Sequence, residues 1–101
     1  RYYVVDYKSN WLGPHWSDYR PAALDLAMRR SHYILQANLY AVAVHRMLQL
    51  RVRDYDIERH FGGCCYLFLR GMAPERPGFG VWFQRPPTQR IARLDAAMGR
   101  A

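Results

Sequence analysis

A chain of 101 residues is one domain at most, and with half its residues hydrophobic and 15% aromatic it can bury a core, which excludes a disordered tail. Its 15 Lys and Arg against 8 Asp and Glu give +7, a balance that favours a polyanionic partner, nucleic acid before an anionic membrane. No apolar run approaches the ~18 residues that span a bilayer and no signal peptide is visible, so no membrane is expected as a partner.

Arg1 runs at once into the apolar Tyr2-Tyr3-Val4-Val5, and the expectation is a cut made in a longer polypeptide. Residues 1–7, rich in Tyr and Val, predict a strand. Gly13-Pro14 and Ser17-Asp18 mark a loop that leads into a helix, with Ser17 or Asp18 as its cap, Pro21 in its first turn and an end near residue 30. Helical periodicity restarts at Ser31 and reaches about residue 51: Tyr33, Ala37, Tyr40, Val44 and Met47 follow three-and-four spacing. Leu35, Leu39 and Val42 add a second stripe, so this helix is expected to be the most buried element.

Gly62-Gly63 punctuate the chain, and residues 64–69 form a continuous apolar run suited to a central strand. Residues 71–80, with two prolines, read as a flexible loop. Residues 81–83 are a short strand closed by Pro86-Pro87, and residues 88–98 have helical spacing at Ile91, Leu94, Asp95 and Met98. The order β-α-α-β-β-α indicates an α/β domain with a mixed sheet flanked by helices. Cys64 and Cys65 are adjacent, so on a strand they face opposite ways; they suit neither a disulfide nor a zinc site, and a buried thiol in a reducing compartment is expected.

Asp6-Tyr7-Lys8 stands at the end of the first strand. Residues two apart share a strand face, where a carboxylate can hold Mg²⁺ and an ammonium can pair with a phosphate or position an attacking water. The plainer reading is an exposed ion pair. Fourteen of the 15 basic residues are Arg, however, and Lys8 is the sole lysine, which points to a task for a compact, tunable cation. Gln36 and Tyr40, one turn apart with Tyr33 a turn earlier, form either a satisfied core amide between packing rings or the side of a site. Arg70 and Arg85 end the two later strands and are candidate DNA-phosphate contacts or solvated strand ends. The four His show no ligand spacing, and Asp54, Asp56 and Glu58 are expected to face solvent. No Gly-rich phosphate loop or nucleophile elbow is present, so ATP has no motor to drive in this stretch.

Asp6-Tyr7-Lys8-Ser9-Asn10-Trp11-Leu12-Gly13, then Tyr33 with Gln36 and Tyr40, then His60-Phe61-Gly62-Gly63 and Tyr66-Leu67-Phe68-Leu69-Arg70-Gly71 closely resemble the C-terminal nuclease domain of the RecB family, the beta subunit of bacterial exodeoxyribonuclease V. The resemblance covers nearly the whole chain, so residues 1–101 would be the C-terminal part of one such domain. It implies a PD-(D/E)XK (restriction-endonuclease-like) nuclease core in which Mg²⁺ supports hydrolysis of DNA phosphodiesters during double-strand break repair and recombination. It further implies a bacterial, cytoplasmic complex with RecC-like and RecD-like subunits, ATP serving only a helicase part. By matching positions, Asp6 looks like a metal ligand, the Tyr7 backbone carbonyl a second oxygen donor, Lys8 the catalytic lysine, and Gln36 and Tyr40 the helical motif beside the site. The family also supplies a His and a second metal-binding Asp upstream, and a G-h-x-D motif ending about a dozen residues before Asp6 would support the enzyme reading. Without the second acid the piece is expected to be inactive alone, and without the hairpin partner strand that carries it, to self-associate through its first strand. The reading from a different class is a non-catalytic module that grips DNA or a partner subunit.

Overall fold

Tyr and Val favour extended backbone because ring and branched side chains pack well on a pleated surface. In the computed structural model, which describes residues 1–99, they form β1, Tyr2–Lys8. The helices α1 (Pro21–Arg30) and α2 (Tyr33–Arg51) follow, then a single turn α3 (Ile57–His60), the strands β2 (Phe61–Phe68) and β3 (Val81–Gln84), and α4 (Thr88–Met98). Short 3-10 turns occur at Trp16–Tyr19 and Leu69–Gly71. The strands form one sheet in the order β1-β2-β3. The result is a small α/β chain in the expected order, with α3 added. β1 is an edge strand, and its Tyr3, Val5 and Tyr7 side chains are exposed.

Four local expectations change. Ser17 and Asp18 lie inside the 3-10 turn rather than capping α1, whose N-cap is Arg20 without a side-chain hydrogen bond. Asp18 Oδ2 instead accepts from the His15 N–H at 2.9 Å, and Pro21, with its fixed φ, opens α1. The two helices are separated by His32, whose φ of 58° is left-handed, so α2 begins at Tyr33 rather than Ser31. Gly62 and Gly63 lie within β2 rather than ahead of it. A Cβ on Gly62 would come within 2.4 Å of the Tyr3 ring, so the glycine permits close approach and is no break. Finally, α2 is not the most buried element. It buries Ala37, Asn38, Ala41, Val42 and Leu48, whereas Leu35, Leu39, Met47 and Leu50 are exposed. β2 has the deeper burial because a central strand is covered along its length.

The chain divides into two compact units. One comprises Arg1–Val4, Leu35–Cys64 and the described residues from Gln84 onward; the other comprises Val5–Ile34 and Cys65–Phe83.

In the first unit, arginines close helix ends. Arg46 on α2 donates from Nε to the Asp95 carboxylate and from its terminal nitrogen to the Asp95 and Gly99 carbonyls. A helix end leaves its last carbonyls without intrahelical partners, and Arg46 satisfies two near the end of α4. Arg85 does the same at α3, donating to the Phe61 and Ile57 carbonyls at 3.2 Å each and pairing with Glu58 at 3.4 Å. Asp56 caps α3 from the other side, accepting from the Glu58 N–H at 3.2 Å. Asp56 and Glu58 are thus exposed, as expected, yet engaged.

His45, Tyr55 and His60, scattered in sequence, also meet in this unit. The Tyr55 hydroxyl and His45 Nδ1 share a hydrogen bond of 2.7 Å, and the Tyr55 ring stacks on His60 at 5.7 Å. Burial lowers the His45 pKa, helped by Arg46 and opposed by Asp95, while burial and the Asp56 charge raise that of Tyr55 against Arg85. Cys64 is buried with its thiol toward the Ala37 carbonyl at 3.5 Å, and Cys65 is partly buried, its pKa raised by desolvation; neither is in a disulfide.

Candidate functional site

The second unit holds the end of β1. Alternation along the strand turns Tyr7 outward, 65% exposed, and puts Asp6 and Lys8 on the opposite face, half-buried. Their Oδ2 and Nζ are 3.2 Å apart. An ion pair at a strand end is ordinarily a weak, solvent-screened contact. Here its floor is aromatic. The Lys8 ammonium lies 4.0 Å from the centre of the Tyr33 ring and 5.3 Å from that of Tyr66. The electron-rich ring faces attract the cation and hold it in place beside the carboxylate.

Each ring is itself fixed. Tyr33 stands 6.1 Å from Tyr66, and fully buried Tyr66 meets Trp82 edge to face at 5.8 Å. The Trp82 indole N–H donates to the Asp25 carboxylate at 2.8 Å, fastening β3 to α1. The Asn10 amide donates to the Tyr33 hydroxyl at 3.1 Å. The string from Asp6 to Asn10 therefore acts as one piece: the strand supplies the charges, and the residues just past it clamp the ring beneath Lys8. An arginine would present a wide planar fork in place of this compact ammonium, a physical basis for the single lysine in a chain otherwise using arginine.

Of the residues singled out from the sequence, Asp6 and Lys8 are the pair the fold brings together. Gln36, half-buried, and Tyr40, 43% exposed, lie one turn apart on α2 in the first unit. Tyr33, from the same sequence pattern, belongs to the second unit and meets Lys8. Arg70 is exposed in the turn after β2, its Nε donating to the Ser9 carbonyl at 2.7 Å. Arg85 closes α3, so a phosphate contact there would compete with its carbonyl partners. Sequence reading missed Tyr66 and Asn10 as parts of this arrangement. Asn10 lies inside the D-Y-K-S-N string, and Tyr66 opens the Tyr66–Gly71 stretch of the resemblance, yet nothing local to either points to Lys8.

The resemblance implies Mg²⁺, and the donor set is short for it. No group of three or more His, Cys, Asp or Glu among the described residues could hold a metal ion. The Asp6 carboxylate and the Tyr7 carbonyl are hard oxygen donors of the right type, and Mg²⁺ sites take one or two carboxylates with the remainder from water and substrate phosphates. The residues fit such a site as a partial set.

Comparison with known proteins identifies the relatives. No protein-family model matches the chain. The RecBCD enzyme subunit RecB of Escherichia coli (strain K12) is 50% identical to it over 95 residues, which cover 94% of this chain and 8% of that protein. The same subunit of Mycobacterium tuberculosis (strain H37Rv) is 46% identical over 99% of this chain and 10% of its own length, and that of Buchnera aphidicola subsp. Acyrthosiphon pisum is 34% identical over 85% of the chain and 7% of its own length. By sequence, the chain belongs to the RecB family. It spans about a tenth or less of the RecB proteins it matches. No helix of this RecB-family segment, among the described residues, is long and apolar enough to cross a membrane.

Proposed function

We propose that this RecB-family segment carries part of the hydrolytic site of a Mg²⁺-dependent deoxyribonuclease on a PD-(D/E)XK-type core. The observation that carries the reading is the Asp6–Lys8 pair at a strand end, with the ammonium held over Tyr33 and Tyr66. Asp6 and the Tyr7 carbonyl would hold the metal, with another acid from outside this segment. When bound, Mg²⁺ supplies positive charge that stabilises the phosphoryl transition state and makes a bound water more acidic. Lys8, fixed within reach of the carboxylate, positions the attacking water and offsets the charge on the scissile phosphate. Gln36 and Tyr40 belong to this reading as the positions that match the family's helical motif. The relatives are RecBCD enzyme subunits, which supports a role in DNA repair and recombination within a bacterial complex that includes RecC-like and RecD-like partners; ATP would act in a helicase part beyond this segment.

The test is Asp6→Ala in the full-length polypeptide, assayed for Mg²⁺-dependent degradation of linear DNA. Loss of a charge-stabilising group of this kind costs on the order of 10²–10³ in rate, and near-normal turnover would remove the catalytic role. The single carboxylate favours one second reading, a module that grips DNA without cutting it. In that case the variant changes DNA affinity while the cleavage rate at saturating DNA stays level.

A further inference from the structure

Two kinds of force hold Lys8, and one of them has a competing claim. The Asp6 carboxylate, 3.2 Å from the ammonium, is also the group that the hydrolytic reading gives to Mg²⁺. A carboxylate oxygen turned to a divalent cation is partly spent as a partner for an ammonium, because the metal is the larger local charge. Lysine carries its charge on a flexible stem. A weakened ion pair alone would leave that charge free to wander.

The rings supply a restraint for which no metal competes. Tyr33 and Tyr66 are tilted by 41° to each other, so they form a corner, and the ammonium sits in it at 4.0 and 5.3 Å from the two centres. One ring face draws a cation toward itself, and a second, tilted face fixes it sideways. The Lys8 side chain is only 14% exposed there. The two walls differ in support. Tyr33 opens α2 and is half-buried, whereas Tyr66 is fully buried on the central strand β2. Against Tyr66 stands buried Trp82, at 81° to it, and the Trp82 N–H is tied to the carboxylate of Asp25 on α1. An ionised acceptor makes a stronger bond to the indole than a neutral one. Asp6, Lys8 and these four residues all belong to the second unit.

Resting on the hydrolytic reading above, we propose that Tyr66 is a positioning residue for that reaction: its ring face, aimed by the Trp82–Asp25 bond, keeps the Lys8 ammonium in place while Asp6 is committed to the metal. Tyr66 acts through Lys8, and Asp25 enters at one further remove, through Trp82 and Tyr66. The attraction is to the negative face of the ring, so ring electron density rather than ring bulk sets its strength. An aliphatic side chain of similar size would fill the space and hold no cation.

The test places phenylalanine and its mono-, di- and trifluorinated forms at Tyr66 of the full-length polypeptide by nonsense suppression. Fluorine drains the ring face while leaving the ring's shape nearly unchanged. Acetylation of Lys8 is followed by peptide mass spectrometry without DNA, in EDTA and in Mg²⁺; turnover and KM are measured on linear DNA. Tyr66→Phe should match the parent within about twofold. Along the fluorine series acetylation should rise and turnover fall stepwise, each by up to about 10-fold, with KM for DNA level. The rise in acetylation should be greater in Mg²⁺ than in EDTA. A residue that only packs would ignore the fluorine count, so a series flat in both readouts overturns the proposal. A rise in acetylation confined to EDTA does the same. Asp25→Ala, at an exposed position, should raise Lys8 acetylation about threefold, and Asp25→Asn, which keeps an acceptor oxygen, should restore it. Acetylation unchanged in Asp25→Ala overturns the part given to the Trp82–Asp25 bond. Lys8→Ala tests the hydrolytic reading separately. Full turnover in that variant sinks the hydrolytic reading and with it the role in turnover; lost turnover there beside a flat fluorine series sinks the positioning by Tyr66 alone.

Discussion

The two compact units use the same residue types to opposite ends. In the first, Arg46 and Arg85 are spent on backbone carbonyls and carboxylates at helix ends, each making several bonds that fix one element to another. In the second, Lys8 is held by rings and one carboxylate, and Arg70 by a single bond to Ser9. Where a cation closes a helix end, its donors are consumed. Where it is cradled by aromatic faces, it is positioned by rings and a carboxylate in place of helix-end carbonyls. Position in the fold, more than residue type, separates these two uses of a cation.

Lys8→Arg is the largest expected break in this contrast. In the full-length polypeptide it retains charge, and DNA affinity should stay within about threefold, but a planar fork cannot reproduce the seat over Tyr33. Cleavage is expected to fall on the order of 10²-fold, as for loss of a positioned catalytic group, measured as turnover at saturating DNA. Turnover within about threefold of the parent would make Lys8 one more staple.

Stability effects come next. Gly71→Ala drives a Cβ into the Tyr19 side chain, a buried anchor that cannot swing away. Overpacking of this kind costs about 1–3 kcal/mol, and thermal unfolding should reveal it; an unchanged midpoint would show that the Arg70 turn yields. Arg46→Ala leaves the Asp95 carboxylate and two carbonyls without this partner. A loss of about 1–2 kcal/mol is expected by denaturant titration. Tyr33→Phe keeps the ring under Lys8 and removes only the Asn10 bond, so about 1 kcal/mol or less should be lost. If turnover dropped as steeply as for Lys8→Arg, the hydroxyl rather than the ring would be the working part.

The smallest expected effect is a pH dependence confined to the first unit. Burial holds the His45 pKa below 6.5, so between the folded value and about 6.5 the unfolded chain binds more protons. Stability therefore rises with pH across that window and is lost as pH falls through it. His45→Gln should flatten the slope of the unfolding midpoint below pH 6.5. A slope unchanged by that substitution would assign it to another group.

The residue string alone determined a good deal. Hydrophobic spacing yielded the order of strands and helices, and D-Y-K-S-N-W-L-G with Y-x-x-Q-x-x-x-Y carried the RecB-family resemblance that the 34–50% identities uphold. These signals are local, set by backbone period and by side-chain chemistry within a few residues. What only the tertiary structure decided was which distant groups meet: Tyr66 and Tyr33 beneath Lys8, Tyr55 between two histidines, Arg46 on the end of α4. The burial of α2 failed for the same reason. Leu35 and Leu39 are apolar at helical spacing, yet whether a stripe is covered depends on what else packs there, and here both are left exposed. An amino-acid type states what a position can do; contacts made tens of residues away along the chain decide what it does.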